Sequence, residues 1–227
     1  MASFNDETTT VKAISPITIH AEWKGWAEKG FFEYYDKDLQ ENKKLELKDF
    51  VIIKTWYKIS GFDERTSWGI WSNEINGFDE ELYVSTKSGL LTSWLYKEIK
   101  MDVNARWGNL YRVLTVLSDW ELISLSMKGS AFWSVSKILD GEKEDGKVIS
   151  KPVNFRKNSI LFTWFEDAKK GAVKYRVPVF TEWSELTADQ IADAKDSANI
   201  VDEYYNSKKQ SNVKASQDKV EEEDERF

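Results

Sequence analysis

Apolar and polar residues alternate with a period of two along several short stretches of this chain, the pattern of strands with one buried face. The most continuous stretch runs from Asp49 to Ile75, DFVIIKTWYKISGFDERTSWGIWSNEI. Residues 50–58 are β-branched and aromatic, Gly61 and Asp63-Glu64-Arg65 interrupt, and Trp68–Ser72 resumes, which predicts a hairpin. Alternation predicts Val51, Ile53, Thr55 and Tyr57 on one face, a core face, and Ile52, Lys54, Trp56 and Lys58 on the other. The second face interleaves cations with an indole. That suits a single nucleic-acid strand, with lysines for phosphates and a flat ring for a base. It also suits an ordinary solvated strand face.

The same period marks further strands at Ile17–Trp23, Trp26–Asp36, Lys43–Leu47 and Leu82–Lys87. It also predicts a hairpin from 110–117 to 121–127 turned near Asp119, and a last hairpin from 159–165 to 172–180. Helical spacing takes over at Leu90, Leu91, Trp94, Leu95 and Ile99, and again over Ser130–Leu139, while residues 140–150 read as a polar loop. Thr187 followed by Gln190 forms a capping box. Ile191, Ala194, Ala198, Val201 and Tyr205 then make one apolar stripe, predicting a helix to 206. Residues 206–226 contain no aromatic, Leu, Ile or Met, so disorder is expected there. The predicted organisation is a flexible N-terminus (1–14), a mainly β domain (15–183), a C-terminal helix (184–206) and a disordered acidic tail (207–227).

Composition narrows the chemistry. The 227 residues include 11 Trp, 9 Tyr and 12 Phe, enough for a large core with rings left over for a surface. There is no cysteine, hence no disulfide, thiolate metal site or cysteine nucleophile. Neither a signal peptide nor an apolar run of membrane-spanning length is visible, so a soluble, cytoplasmic protein is expected. Net charge is −7, but Asp218–Phe227 holds six acids and two bases, which leaves −3 for the rest. A local basic groove is compatible with that balance.

The chain ends VEEEDERF, an acidic stretch closed by Phe227. A terminal ring and carboxylate fit a small basic-rimmed pocket on a partner, with Asp218, Glu221, Glu222, Glu223, Asp224 and Glu225 steering the encounter. This tail resembles those of bacterial and bacteriophage single-stranded DNA-binding proteins, where such a tip recruits replication and repair enzymes. The order of an aromatic-rich β-domain, a helix and an acidic tail is similar to the T7-type phage proteins. Within GFDERTSWGIWSNE, residues Gly61, Phe62, Glu64, Gly69, Ile70, Ser72, Asn73 and Glu74 also resemble a pattern in phage proteins of that type. The tail likeness covers about ten residues, and the long Gly/Gln-rich linker of the bacterial proteins is missing, so their tetramer is not implied.

The resemblance implies an OB-like barrel with an inserted helix, coating single-stranded DNA in replication, recombination or repair within a phage-infected host. It implies recruitment of replication or recombination enzymes through the tail. On that reading the stacking candidates are Tyr34, Trp56, Trp68 and Trp71. The phosphate candidates are Lys54, Lys58, Arg65, Lys87, Arg106, Arg112, Lys174 and Arg176. No phosphate-binding loop, dinucleotide fingerprint or nucleophile elbow is present, so no cofactor and no enzymatic activity are expected. His20, the lone histidine, sits in an alternating strand and reads as structural. Two other classes remain open: a β-sandwich binding sugars or proteins on its tryptophans, and a Mg²⁺-dependent nuclease built on Asp36 or Asp38 with Glu46 and Lys48.

Overall fold

The computed structural model describes residues 14–26, 29–63, 66–144 and 147–224, without the side chains of 142–147 and 208–224. In chain order the elements are β1 (Ile19–Lys24), β2 (Phe31–Asp36), β3 (Glu41–Lys44), β4 (Asp49–Asp63), β5 (Trp68–Ser72), β6 (Leu82–Thr86) and β7 (Gly89–Trp94). Then come α1 (Tyr96–Ala105), β8 (Gly108–Ser118), β9 (Glu121–Lys128), α2 (Gly129–Asp140), β10 (Glu142–Glu144), β11 (Lys147–Ser150), β12 (Asn158–Lys170), β13 (Val173–Glu185) and α3 (Ala188–Asp224). The chain is mainly β, as the alternation predicts.

One large mixed sheet runs β3-β2-β1-β9-β8-β4-β5-β6-β7, with β12 joined to the start of β4 and β13 to β12. Only β1 and β9 pair in parallel among the described strands. The sheet stays open; it does not close into the barrel that the family resemblance implies. The 140–150 stretch, expected as a loop, holds the small β10–β11 pair.

A bulge in β4 decides which residues face which way. Its pairing with β8 shifts register between Ile52 and Lys54. A one-residue bulge swaps the two faces of a strand. Phe50 and Ile52 therefore join a core before the bulge, and Tyr57 and Ile59 join one after it. Uniform alternation wrongly groups Ile52 with Lys54 and Trp56. The first core packs Trp23, Phe32, Phe50, Phe162 and Phe180 largely edge to face, between the sheet and the base of the β12–β13 ribbon. The second packs Tyr57, Ile59, Ile70, Leu82 and Val84 against Ile99 and Val103 of α1 and Phe132 of α2. A third, smaller core lies on the opposite face, where α3 covers Trp56, Tyr111 and Val113 with Val201 and Tyr205.

Both ends of α3 differ in kind. Its start carries the predicted capping box: Gln190 N–H donates to Thr187 Oγ1 (3.2 Å) and Thr187 N–H to Gln190 Oε1 (3.0 Å). Its backbone then continues past the expected stop at 206 to Asp224. Residues 207–224 contain neither Gly nor Pro and hold four Lys, three Glu and two Gln. Their helix propensity accounts for the continuation although no apolar stripe supports it. Among the described residues, no helix is long and apolar enough to cross a membrane.

Arg112 has a structural role. Its side chain is buried, donates to Asp140 through both terminal nitrogens (2.5 and 3.1 Å) and to Ser136 (3.0 Å), and lies over the Tyr57 ring. It thereby ties α2 to the sheet. Asp140→Ala would leave a buried guanidinium without its carboxylate, a loss of about 1–3 kcal/mol. The denaturant midpoint of the variant, read at unchanged m-value, checks this expectation.

Candidate nucleic-acid interface

Strand register defines one continuous sheet face. Along β4 the residues Lys54, Trp56, Lys58, Ser60 and Phe62 point the same way, away from the two larger cores. Ser60 pairs with Trp71 and with Asn109, and Trp71 pairs with Ser85 of β6, which shares its face with Tyr83. Phe62, Trp71 and Tyr83 thus stand on three successive strands of one face, all about half exposed. The rows are held apart by the strand spacing of about 4.8 Å, so the rings from β4 to β6 span roughly 10 Å.

The motif residues build this patch. Gly61 abuts the Trp107 carbonyl, and a Cβ placed there would lie 2.4 Å from that oxygen. The close approach brings the α1–β8 turn, with exposed Trp107, beside Phe62. Gly69 sits opposite Phe62, and the Trp71 ring lies 3.9 Å from where its Cβ would be. Ile70 fills the second core on the other side. Ser72 Oγ accepts from Ile59 N–H (2.8 Å) and donates to the Asn73 carbonyl (2.7 Å). Asn73 accepts from Tyr83 N–H (2.6 Å) and donates to the Glu81 carbonyl (3.0 Å). These bonds lock the ends of β5 and β6 to β4 and fix the rings in place.

The other half of the face is covered. Trp56, 3% exposed, lies beneath α3 with the Tyr205 ring 4.2 Å away between centroids. Lys54 forms an ion pair with Asp202 of α3 and sits 5.1 Å from the Trp56 ring centre. Lys58 lines a small cavity under the helix with His20, Glu74 and Tyr204. Burial pushes the Tyr205 phenol up, and the Glu74 charge adds to it, so this hydroxyl stays neutral.

The remaining candidates scatter. Tyr34 packs on the first core and Arg112 is buried, so neither faces the patch. Trp68 pairs with Asp63 and shares its side with Ile70, opposite Trp71. Lys87 is exposed in the β6–β7 turn, and Arg106 ends α1 beside Trp107. Lys174 and Arg176 belong to the distant ribbon, where Arg176 bonds Asp167 (3.0 Å) and covers Phe165. Arg65, Glu225 and Phe227 lie outside the described residues; Asp218, Glu221, Glu222, Glu223 and Asp224 fall on α3 without described side chains. Asp36, considered above for a metal, bonds Lys43 (2.9 Å) and the amides of Asp38 and Leu39. The Lys43 bond holds its carboxyl below the ordinary value. Among the described residues, no group of three or more His, Cys, Asp or Glu side chains could hold a metal.

Sequence reasoning did not single out Tyr83 and Trp107 as site residues, and it quoted Phe62 only for a motif. Tyr83 carried a signal, because it alternates with buried Leu82 and Val84. Trp120 is a different case. Ser118 pairs directly with Glu121, so Asp119 and Trp120 form a two-residue turn with φ of 46° and 69°. This is the primed hairpin geometry that glycine favours. The indole is held 82% exposed in a left-handed conformation. Trp120→Gly should raise stability by about 0.5–1 kcal/mol, since relief of the left-handed strain exceeds the added unfolded-state entropy. A fall in thermal midpoint would show that the indole packs favourably instead.

Toward β1 the face is saturated with paired charges. Glu22 bonds Lys24 (2.8 Å), Lys128 (3.3 Å) and the Tyr111 hydroxyl (3.1 Å). Burial raises the Glu22 carboxyl, but the Lys24 bond and both lysine charges outweigh it and hold it below its usual 4.5. A depressed carboxyl stabilises the fold fully above its unfolded value, and the contribution drains away as pH falls below about 4.5. Urea midpoints measured from pH 7 to pH 3 should therefore drop less steeply for Glu22→Gln than for the parent protein. Parallel curves would contradict the assignment.

No protein-family model, curated protein or solved structure matches the chain.

Proposed function

We propose that the protein binds single-stranded DNA on the open half of this sheet face, by stacking bases on Phe62, Trp71 and Tyr83. The observation that carries the reading is the placement of these three half-exposed rings on adjacent strands, all on one side. Stacking tolerates any base because every base has a flat face, so the binding is sequence-tolerant. Lys87 and Arg106 lie on the turns that follow β6 and α1. These cations meet the phosphates of a strand crossing the patch. The binding mode is that of an OB-like sheet even though this sheet is open. The acidic, Phe-ended terminus serves replication or recombination enzymes, in keeping with the resemblance to phage single-stranded DNA-binding proteins, and no chemistry is performed on the DNA.

Fluorescence titration with oligothymidylate tests the reading. Trp71→Ala and Tyr83→Ala should each weaken binding by about 5- to 150-fold, the equivalent of 1–3 kcal/mol per stacked base. Trp68→Ala, on the opposite side, should leave it unchanged. Affinity should fall with added salt as phosphate neutralisation requires. Equal loss from Trp68→Ala, or no loss from either patch variant, would overturn the assignment. Quenching by an oligosaccharide but not by DNA would favour a sugar-binding sheet.

A further inference from the structure

The covered half of the face repeats the chemistry of the open half. Lys54, Trp56 and Lys58 lie on the same strand face as Phe62, with roughly 20 Å between Trp56 and Phe62 along β4. What covers them is a carboxylate and an aromatic ring three residues apart on one helix: Asp202 on Lys54, Tyr205 on Trp56. We propose that Lys54, Trp56 and Lys58 form a second single-strand subsite, continuous with the open patch. In the free protein α3 occupies it, with the Asp202 carboxylate in place of a phosphate and the Tyr205 ring in place of a base. This inference rests on the open patch being a DNA-binding face.

The seating of α3 supports displacement. From Ala188 to Ser207 only Val201 is fully buried, so the helix holds the sheet through few apolar contacts. A helix in a protein gains most of its stability from such contacts. Its root is firmer: Leu186 is buried and its N–H donates to the Lys157 carbonyl (2.7 Å), followed by the capping box. The seal at the centre is incomplete. A cavity of about 70 Å³ remains between helix and sheet, lined by Trp56, Lys58, Tyr204 and Tyr205 among others. Among the described residues the buried Trp56 indole N–H finds no acceptor. An unmet buried donor disfavours the covered state. A helix fixed at its root, and held farther along chiefly by Val201, Asp202 and Tyr205, swings away without unfolding the two larger cores.

Hydrogen exchange of the full chain, free and saturated with oligothymidylates of about 4 and about 16 nucleotides, tests this. The short probe fits the open patch alone, and the long one reaches the covered strip. Exchange across 198–207 should quicken with the long probe and not with the short one. Asp202→Asn leaves Val201 and Tyr205 in place, and should tighten binding of the long probe about two- to fivefold, the range an exposed ion pair commands. Glu203→Gln, an equal charge change on the exposed side of the helix, should not. An α3 that stays protected at saturation, or identical gains from both variants, would overturn the proposal. If Trp71→Ala still weakens binding of the short probe, only the α3 subsite falls. If no oligonucleotide binds, or Trp71→Ala is silent, the DNA-binding reading falls as well.

Discussion

The pairing of β4 with β8, and the one-residue shift within it, is the constraint on which the other features depend. β4 is fifteen residues long and bonds in turn to β12, β8 and β5. Without the shift after Ile52, one end of the strand would turn its apolar residues to solvent. With it, a single strand supplies Phe50 and Ile52 to one core and Tyr57 and Ile59 to the next. Its opposite side, from Lys54 to Phe62, forms one continuous face, part of it beneath α3. The two cores fix the strand, α1 and α2 close the far side, and the surface follows.

That surface has two states side by side. Near β5 and β6 it is open, with rings positioned by Ser72 and Asn73 and given room by Gly69. Near β8 it is shut by α3. Toward β1 its lysines are engaged by Glu22. Binding capacity along the sheet is therefore set by which cations and rings are already partnered within the chain, more than by how many the sequence contains. On the proposed reading, a near-neutral body suffices for a nucleic-acid strand because only a few groups need to converge.

Local signals in the sequence were sufficient for much of the fold. The turn near Asp119, the helix after it and the capping box at Thr187 depend on neighbours a few residues apart, and all are present. The Gly61–Asn73 segment was legible as a unit for the same reason. Pairing between distant segments was not. Nothing near Ile19 announces its parallel partnership with Ile123, and nothing near Leu90 distinguishes β7 from the start of α1. Nothing in IIKTW marks the bulge. Arg112 looked like a phosphate contact because it alternates in a strand, yet its partner, Asp140, lies 28 residues away on α2. Trp56 looked like a platform because its strand face is half cationic; the helix that covers it comes some 145 residues later. Long-range packing decides burial, and burial separates a stacking ring from a core ring.

Ultraviolet cross-linking of the full chain to oligothymidylate, with the attachment sites read by mass spectrometry, tests the central assignment without choosing residues in advance. Eleven tryptophans are spread through the chain, and nine of them are exposed. The account predicts adducts concentrated at Phe62, Trp71 and Tyr83. Adducts confined to Trp133, Trp164 or Trp183, far from this sheet face, would contradict it.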